Sequence, residues 1–152
     1  MKFILLTLIL NLSVSDQEIS AIRESYLLAY LNESNCDHFG EQIVLNTEKS
    51  PLVKGYLGCF YFIKSKFENN PIDKFYYFKK GKNLLEAAIH EDPKSIELIF
   101  LRYSIQKNLP RFLLYNNTEK DLIFVNENLL KVSDQEAKKF ILNCMQLMKK
   151  NK

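Results

Sequence analysis

Ser95–Asn108 reads SIELIFLRYSIQKN, and this run predicts a helix that is apolar on two sides. At about 100° per residue, its apolar side chains form two groups: Ile96, Ile99, Phe100 and Tyr103, and Leu98, Leu101 and Ile105. A helix with two apolar faces packs between neighbours on both sides, as an interior helix of a layered helical protein does. The run therefore predicts an all-α fold in which this helix is central.

Capping residues and prolines divide the rest of the chain into helices. Ser50-Pro51 and Asn70-Pro71 each join a capping residue to a proline at the first helical position, and Pro93 ends a helix. Ser15–Glu18 and Ser133–Glu136, both SDQE, are capping boxes. The predicted helices span about residues 16–33, 36–46, 51–68, 71–90, 94–108 and 118–131, and the second box opens a seventh. Because no alternating run competes as a strand, we predict an all-α fold of about seven helices, arranged as an irregular bundle or a short solenoid.

Several positions in these helices carry expectations about packing. Gly55 and Gly58 lie off the apolar stripe of the third helix, so we expect a neighbouring helix to approach closely there. Gly81 leaves open whether the fourth helix is continuous or broken. Helical spacing also predicts that Val44 faces the core with Phe39 and Ile43, and that Phe75 shares a core face with Phe78. Asn116 and Asn117 are expected to cap the sixth helix.

The composition is that of one globular domain. Of the 152 residues, 47% are apolar and 26% are charged, which is enough for a sizeable core. The formal net charge of +3 is too close to neutral to indicate a nucleic-acid partner, and the lysines of 79–82 are interpreted as solvated helix surface. Three widely spaced cysteines indicate three buried thiols, with one disulfide as the alternative: Cys36, Cys59 and Cys144.

The first 15 residues resemble a secretory leader. Lys2 precedes an apolar run at 3–10, and Ser13 and Ser15 supply small residues before a cut at Asp16. We therefore predict a signal peptide at 1–15 and a single helical domain at 16–152, exported to the periplasm or secreted. The abundance of Asn, Lys and Ile is typical of an AT-rich genome and favours a bacterial source. The expected destination is therefore a bacterial cell envelope. The apolar run is too short for a stable membrane span, which needs about 20 residues. The alternative to a signal peptide is an ordinary first helix that is buried in the core.

One helix pair resembles the tetratricopeptide repeat. Gly81, Leu85, Ala88 and Pro93 match the small, apolar, alanine and proline positions of its second helix, and the run Leu57–Tyr61 fits part of its first. Lys54 stands where that family usually has an aromatic residue, and residues 68–78 are extra relative to its spacing. The resemblance implies a short solenoid of stacked antiparallel helix pairs, in which the extra residues lengthen the helices or form a loop.

A second resemblance covers the chain as a whole. Leu101–Pro110 and Phe112–Tyr115 are similar to segments of uncharacterised exported proteins of Bacteroidota that share this helical arrangement. No activity is implied by that likeness, because a fold supports many functions.

A polar stripe of Ser95–Asn108 provides the predicted binding site. In tetratricopeptide arrays the first helix of each pair lines the concave surface, so the resemblance implies that this stripe faces a groove. Arg102 and Gln106 offer a guanidinium fork and an amide for a peptide backbone or carboxylate, and Arg111, Tyr115 and Asn116 are expected to extend the site. The alternative is structural: Arg102 and Gln106 pair with groups of neighbouring helices inside the domain.

These features favour a protein- or peptide-binding module, a scaffold rather than an enzyme. Because many Phe and Tyr residues lie between Tyr56 and Phe78, the second hypothesis is a carrier of a small apolar ligand in an enclosed cavity. An enzyme is the least favoured class, since no nucleophile–base pair or phosphate loop is present. Cys36 and His38 are too few ligands for a metal site, and we predict neither metal nor cofactor. The oligomeric state is left open.

Overall fold

The computed structural model describes residues 16–45 and 50–150, and within these ranges it contains only helices, turns and connecting segments. The seven α-helices of these ranges are α1 (Asp16–Ala29), α2 (Glu33–Leu45), α3 (Pro51–Phe67), α4 (Pro71–Glu91), α5 (Ile96–Lys107), α6 (Thr118–Asn128) and α7 (Gln135–Lys150). Two short 3-10 helices, Arg111–Leu113 and Leu129–Lys131, precede and follow α6. The predicted all-α class and number of helices are confirmed. The predicted leader and its Ser15 cap lie outside the described residues.

The helix starts follow the capping signals of the sequence. Ser50 Oγ accepts a hydrogen bond from the Val53 N–H at 3.3 Å, and Asn70 Oδ1 accepts one from the Ile72 N–H at 2.9 Å. In both cases a proline occupies the first turn, where its missing N–H costs nothing. These side chains satisfy backbone donors that have no partner within the helix, which fixes where α3 and α4 begin.

Two predicted caps are wrong in detail. α7 begins at Gln135, so Asp134 rather than Ser133 holds the capping position, and its Oδ1 accepts from two backbone N–H groups at 3.0 Å. At α6 only Asn116 bonds the first turn, through Thr118, because the Asn117 side chain is directed to α5 instead. The sequence pattern placed both helices correctly, and the local hydrogen bonding selected a neighbouring residue as the cap.

α3 and α4 form a long antiparallel hairpin joined by residues 68–70. They approach each other closely at Gly58 and Gly81, where a Cβ on Gly58 would lie 2.9 Å from the Gly81 carbonyl oxygen. The expected close approach is therefore confirmed. α4 runs unbroken through Gly81, because the glycine serves the contact between helices instead of a kink. Of the extra residues at 68–78, those at 68–70 form the connection and those at 71–78 lie in α4.

The core surrounds α5, as its two apolar faces predicted. Five of its apolar side chains are buried: Leu98, Ile99, Phe100, Leu101 and Ile105. Edge-on aromatic contacts join rings of α1, α3 and α7 beside it, with Tyr26, Tyr56 and Phe140 about 6 Å apart. Two predicted core residues are exposed instead: Val44 by 76% and Phe75 by 55%. The periodicity placed both residues on the apolar side of their helices. It could not show how far along each helix the neighbouring helices cover that side.

Candidate functional site

Arg102, the first predicted binding residue, is engaged within the domain. Its Nε and Nη2 donate to the two carboxylate oxygens of Asp121 at 2.7 Å, and its Nη1 donates to Glu86 at 3.0 Å. Only 11% of the Arg102 side chain is exposed, and Asp121 is buried. Burial alone would lower the pKa of Arg102, but the hydrogen bonds and charges of the two carboxylates raise it. The guanidinium therefore joins α5 to α4 and α6.

Gln106 and Tyr115 complete the same internal network. The Gln106 amide accepts from the Asn117 backbone N–H at 2.5 Å and donates to the Asn117 side chain at 3.1 Å. The Tyr115 hydroxyl donates to Glu86 at 2.5 Å, and both Gln106 and Tyr115 are buried. The interpretation of Arg102, Gln106 and Tyr115 as groove-lining residues is thus corrected to the structural alternative, because their polar atoms are already occupied by groups of this chain.

Arg111 and Asn116, the other two predicted site residues, are exposed. Arg111 begins the 3-10 helix that follows α5. Asn116 Oδ1 accepts from the Thr118 hydroxyl at 2.7 Å, which is a capping role. The five predicted residues therefore do not form one surface: three are internal and two lie on the connection between α5 and α6.

Glu97, which lies on a different face of α5 from Arg102, is also internal, and its partner was not predicted. Arg23 of α1 donates to both oxygens of Glu97, from Nε at 2.9 Å and from Nη2 at 2.7 Å. The Tyr56 hydroxyl donates to Glu97 at 2.6 Å, and Arg23 Nη2 also reaches Asp134 at 2.9 Å. Both side chains of the ion pair are less than a tenth exposed. The sequence did contain a signal for this ion pair. Glu97 lies on a helix predicted to be buried on two sides, and a buried carboxylate requires a cationic partner.

The cysteines are three free thiols, all buried, as expected. Burial raises the pKa of Cys36 to about 11 and that of Cys144 to about 12, and it raises the pKa of Cys59 further. The thiols are therefore protonated at neutral pH. No group of three or more metal-ligating side chains occurs in the ranges 16–45 and 50–150. His38, exposed on α2, lies 3.7 Å from Glu41.

An open apolar cleft of about 660 Å³ lies between the adjoining ends of α3 and α4 on one side and the end of α5 with the segment that follows it on the other. Phe62 and Phe78 form part of its wall, and Phe75, whose exposure contradicted the predicted core, lies beside them. The opposite wall comes from the end of α5 and from Leu109–Leu113. The complete lining is Tyr30, Phe62, Ser65, Lys66, Pro71, Lys74, Phe75, Phe78, Ile105, Asn108, Leu109, Pro110, Phe112 and Leu113. We refer to this space as the cleft.

A second space of about 520 Å³ adjoins the cleft and shares part of its wall. It is lined by Phe75, Phe78, Lys79, Lys82, Asn83, Phe112 and Leu113, and we call it the lysine hollow. Lys79 Nζ lies 5.9 Å from the centre of the Phe75 ring, and Lys82 Nζ lies 4.9 Å from that of Tyr115. The two spaces share the apolar residues Phe75, Phe78, Phe112 and Leu113, and each has two lysines in its lining.

The expected region of Tyr56–Phe78 supplies only part of the cleft. Tyr56 is fully buried in the core, whereas Phe62 and residues at the adjoining ends of α3 and α4 line the cleft. The other wall, at 109–113, was not predicted. The sequence signal for this wall was the apolar character of the segment between α5 and α6, which contains Leu109, Pro110 and Phe112. Leu114, directly after this wall, adopts a left-handed backbone with φ of 50° and is exposed.

Comparison with models of known protein families, with curated proteins and with solved structures found no match. Within the ranges that the structure covers, no helix is long and apolar enough to cross a membrane. The geometry of the cleft and of its lysines is therefore the basis for a functional hypothesis.

Proposed function

We propose that this protein is a binding protein that holds the apolar part of a small ligand in the cleft. The observation that carries the proposal is the cleft itself, whose volume of about 660 Å³ lies within the range of small-molecule sites. Among the hypotheses drawn from the sequence, this corresponds to the carrier of a small apolar ligand, except that the ligand lies in an open cleft and not in the enclosed cavity that the sequence hypothesis expected.

The walls of the cleft suit an apolar ligand because they combine aromatic and aliphatic side chains. Phe75 and Phe112, at opposite sides, are exposed by 55% and 78%. Large side chains left this exposed on both sides of an open cleft lose contact with water when a ligand covers them. At about 25 cal/mol per Å² of apolar surface, covering such walls supplies a favourable free energy of binding.

A non-catalytic role is part of this proposal. It is supported by the protonation of the three cysteines, which removes the strongest nucleophiles that the chain has. It is also supported by the positions of Glu86, Glu97 and Asp121, whose carboxylates are bound to arginines. A carboxylate engaged in this way serves the fold and is a poor general base.

A protein or peptide partner is the second candidate. Exposed apolar residues next to cleft-lining positions favour it: Ile72 beside Pro71, and Leu114 beside Leu113. A peptide that used the cleft would then bind through apolar side chains instead of through Arg102 and Gln106.

We also propose export, on the basis of the leader pattern at 1–15. A measured mass of the mature protein that includes Met1 would contradict export.

The chain contains no tryptophan, which allows a direct test of the cleft. Phe112→Trp places a single tryptophan on the cleft wall, and Leu130→Trp places one on an exposed site that does not line the cleft. N-phenyl-1-naphthylamine, a neutral apolar probe, is expected to shift the emission of the first variant to the blue in a saturable way. The second variant should not respond. Absence of saturation at position 112, or an equal response of both variants, would refute the proposed function.

A further inference from the structure

The charged residues that line the cleft and the lysine hollow are all lysines. Lys66 and Lys74 line the cleft, Lys79 and Lys82 line the lysine hollow, and neither space has an Asp or Glu in its lining. The whole chain has 21 Lys and Arg against 18 Asp and Glu, so a lining with cations alone departs from the balance of the molecule. The apolar walls are thus bordered by positive charge.

These lysines have few partners of opposite charge. Lys66 donates to the Tyr30 carbonyl oxygen at 2.8 Å, and Lys79 and Lys82 lie against aromatic rings. None of the four takes part in an ion pair with a described residue. By contrast, Lys64 on the other side of α3 pairs with Asp37 at 2.9 Å. The ammonium groups at the cleft therefore remain available to a ligand.

We propose that the occupant is a single-chain amphiphile with a carboxylate head, a fatty-acid-like ligand whose chain lies in the cleft and whose head faces these lysines. The proposal rests on the proposed function and adds the charge of the ligand to it. An anion gains from each ammonium group that it approaches, whereas a cationic head is repelled. The chain of such a ligand contacts the phenylalanine walls, where the lining offers few polar partners.

The size of the cleft favours a single chain over a larger occupant. A volume of about 660 Å³, bounded by the ends of helices, accommodates a small molecule, whereas a docked helix requires a groove that continues past both of its ends. A membrane surface or a second copy of the chain would cover the exposed Phe112 and Leu114 without entering the cleft. The test therefore compares these occupants directly.

Three twelve-carbon probes separate the charge of the head from the apolar chain. Dodecanoate, dodecyl maltoside and dodecyltrimethylammonium are titrated below their micellar concentrations into the Phe112→Trp variant. We expect dodecanoate to bind about fivefold more tightly than the maltoside, on the scale of one or two exposed charge pairs, and the cationic probe to bind most weakly. The preference for dodecanoate should shrink as NaCl is raised from about 20 mM to about 500 mM, because salt screens exposed charges.

Lysine variants localise the effect. In the Phe112→Trp background, Lys74→Gln with Lys79→Gln should remove most of the preference for dodecanoate. Lys94→Gln with Lys120→Gln makes the same change in net charge at exposed positions outside both linings and should leave the preference intact.

Each other outcome contradicts a different part of the argument. If no probe binds, the proposed function fails together with this inference. If the maltoside binds as tightly as dodecanoate, the cleft binds apolar chains but the charge inference is wrong. Saturation by phosphatidylglycerol vesicles in place of dodecanoate would identify a membrane surface as the occupant, and a blue shift that grows with protein concentration alone would identify a second copy. Either result would overturn the proposal.

Discussion

Replacement of Glu97 by alanine removes the acceptor of three hydrogen bonds inside the core. Two of these bonds come from Arg23 and one from the Tyr56 hydroxyl, at distances of 2.6 to 2.9 Å. Both Arg23 and Tyr56 are almost fully buried, so water cannot replace the lost carboxylate without opening the packing of α1 on α5. The substitution therefore leaves a charge and a hydroxyl without their partner in an apolar environment.

The expected cost is about 3–5 kcal/mol, the range for breaking one side of a buried ion pair. The contact of Arg23 with Asp134 offsets part of this cost, since that carboxylate remains in place at 2.9 Å, while the unpaired Tyr56 hydroxyl adds to it. For a domain of this length, at about 3 °C per kcal/mol, the melting temperature should fall by about 9–15 °C. Urea unfolding followed by circular dichroism gives the free energy directly.

Two matched variants test the reason for this loss. Glu127→Ala, on the exposed face of α6, should change stability by less than about 0.5 kcal/mol. The triple variant Arg23→Met, Tyr56→Phe and Glu97→Leu removes every member of the buried group and should recover most of the loss. If Glu97→Ala costs less than about 1 kcal/mol, or if the triple variant is as unstable as the single one, the network does not hold α1 on α5 as described.

Three further predictions concern other parts of the fold. Gly58→Ala should destabilise the protein by about 1–3 kcal/mol in urea unfolding, because its Cβ meets the backbone of α4; Gly40→Ala, which meets only the Phe60 ring, should cost less. Although partial burial opposes the shift, the Ala137 N–H and the Arg23 charge lower the pKa of Asp134. The stabilisation that the Asp134 carboxylate provides is therefore fully present above the pKa of the unfolded state and is lost as the pH falls through the lower folded-state pKa. The stability advantage of wild type over Asp134→Asn should accordingly shrink as the pH is lowered below about 4. The three buried thiols should react with a disulfide reagent only after denaturation, and rapid native-state labelling would contradict their burial.

The helices could be predicted from the sequence because their signals are local. Ser50-Pro51 and Asn70-Pro71 act within one turn of the helix that they begin, and the structure shows the expected hydrogen bonds at both. The two apolar faces of Ser95–Asn108 likewise follow from spacing alone and are buried on both sides. Such features depend on residues a few positions apart, which periodicity and capping chemistry describe directly.

The candidate site could not be predicted in the same way because it depends on long-range partners. Whether Arg102 faces solvent or a carboxylate depends on Asp121 of α6 and Glu86 of α4, and the sequence does not give the angles between these helices. Phe75 and Phe78 share a spacing typical of a core face, but only Phe78 is covered by neighbouring side chains. The cleft lies where neighbouring side chains cover Phe78 but leave Phe75 exposed.

The α3–α4 hairpin also has a consequence for how the protein folds. Its two helices are joined by only residues 68–70, so contacts such as that of Gly58 with Gly81 form after closing a short loop. The pairing of Arg23 with Glu97 must close 74 positions, at a greater cost in chain entropy. We therefore expect the hairpin to be organised in the folding transition state and the buried ion pair to form after it. Loss of Glu97 should then accelerate unfolding and leave the folding rate nearly unchanged, which makes this ion pair a determinant of how long the native state persists.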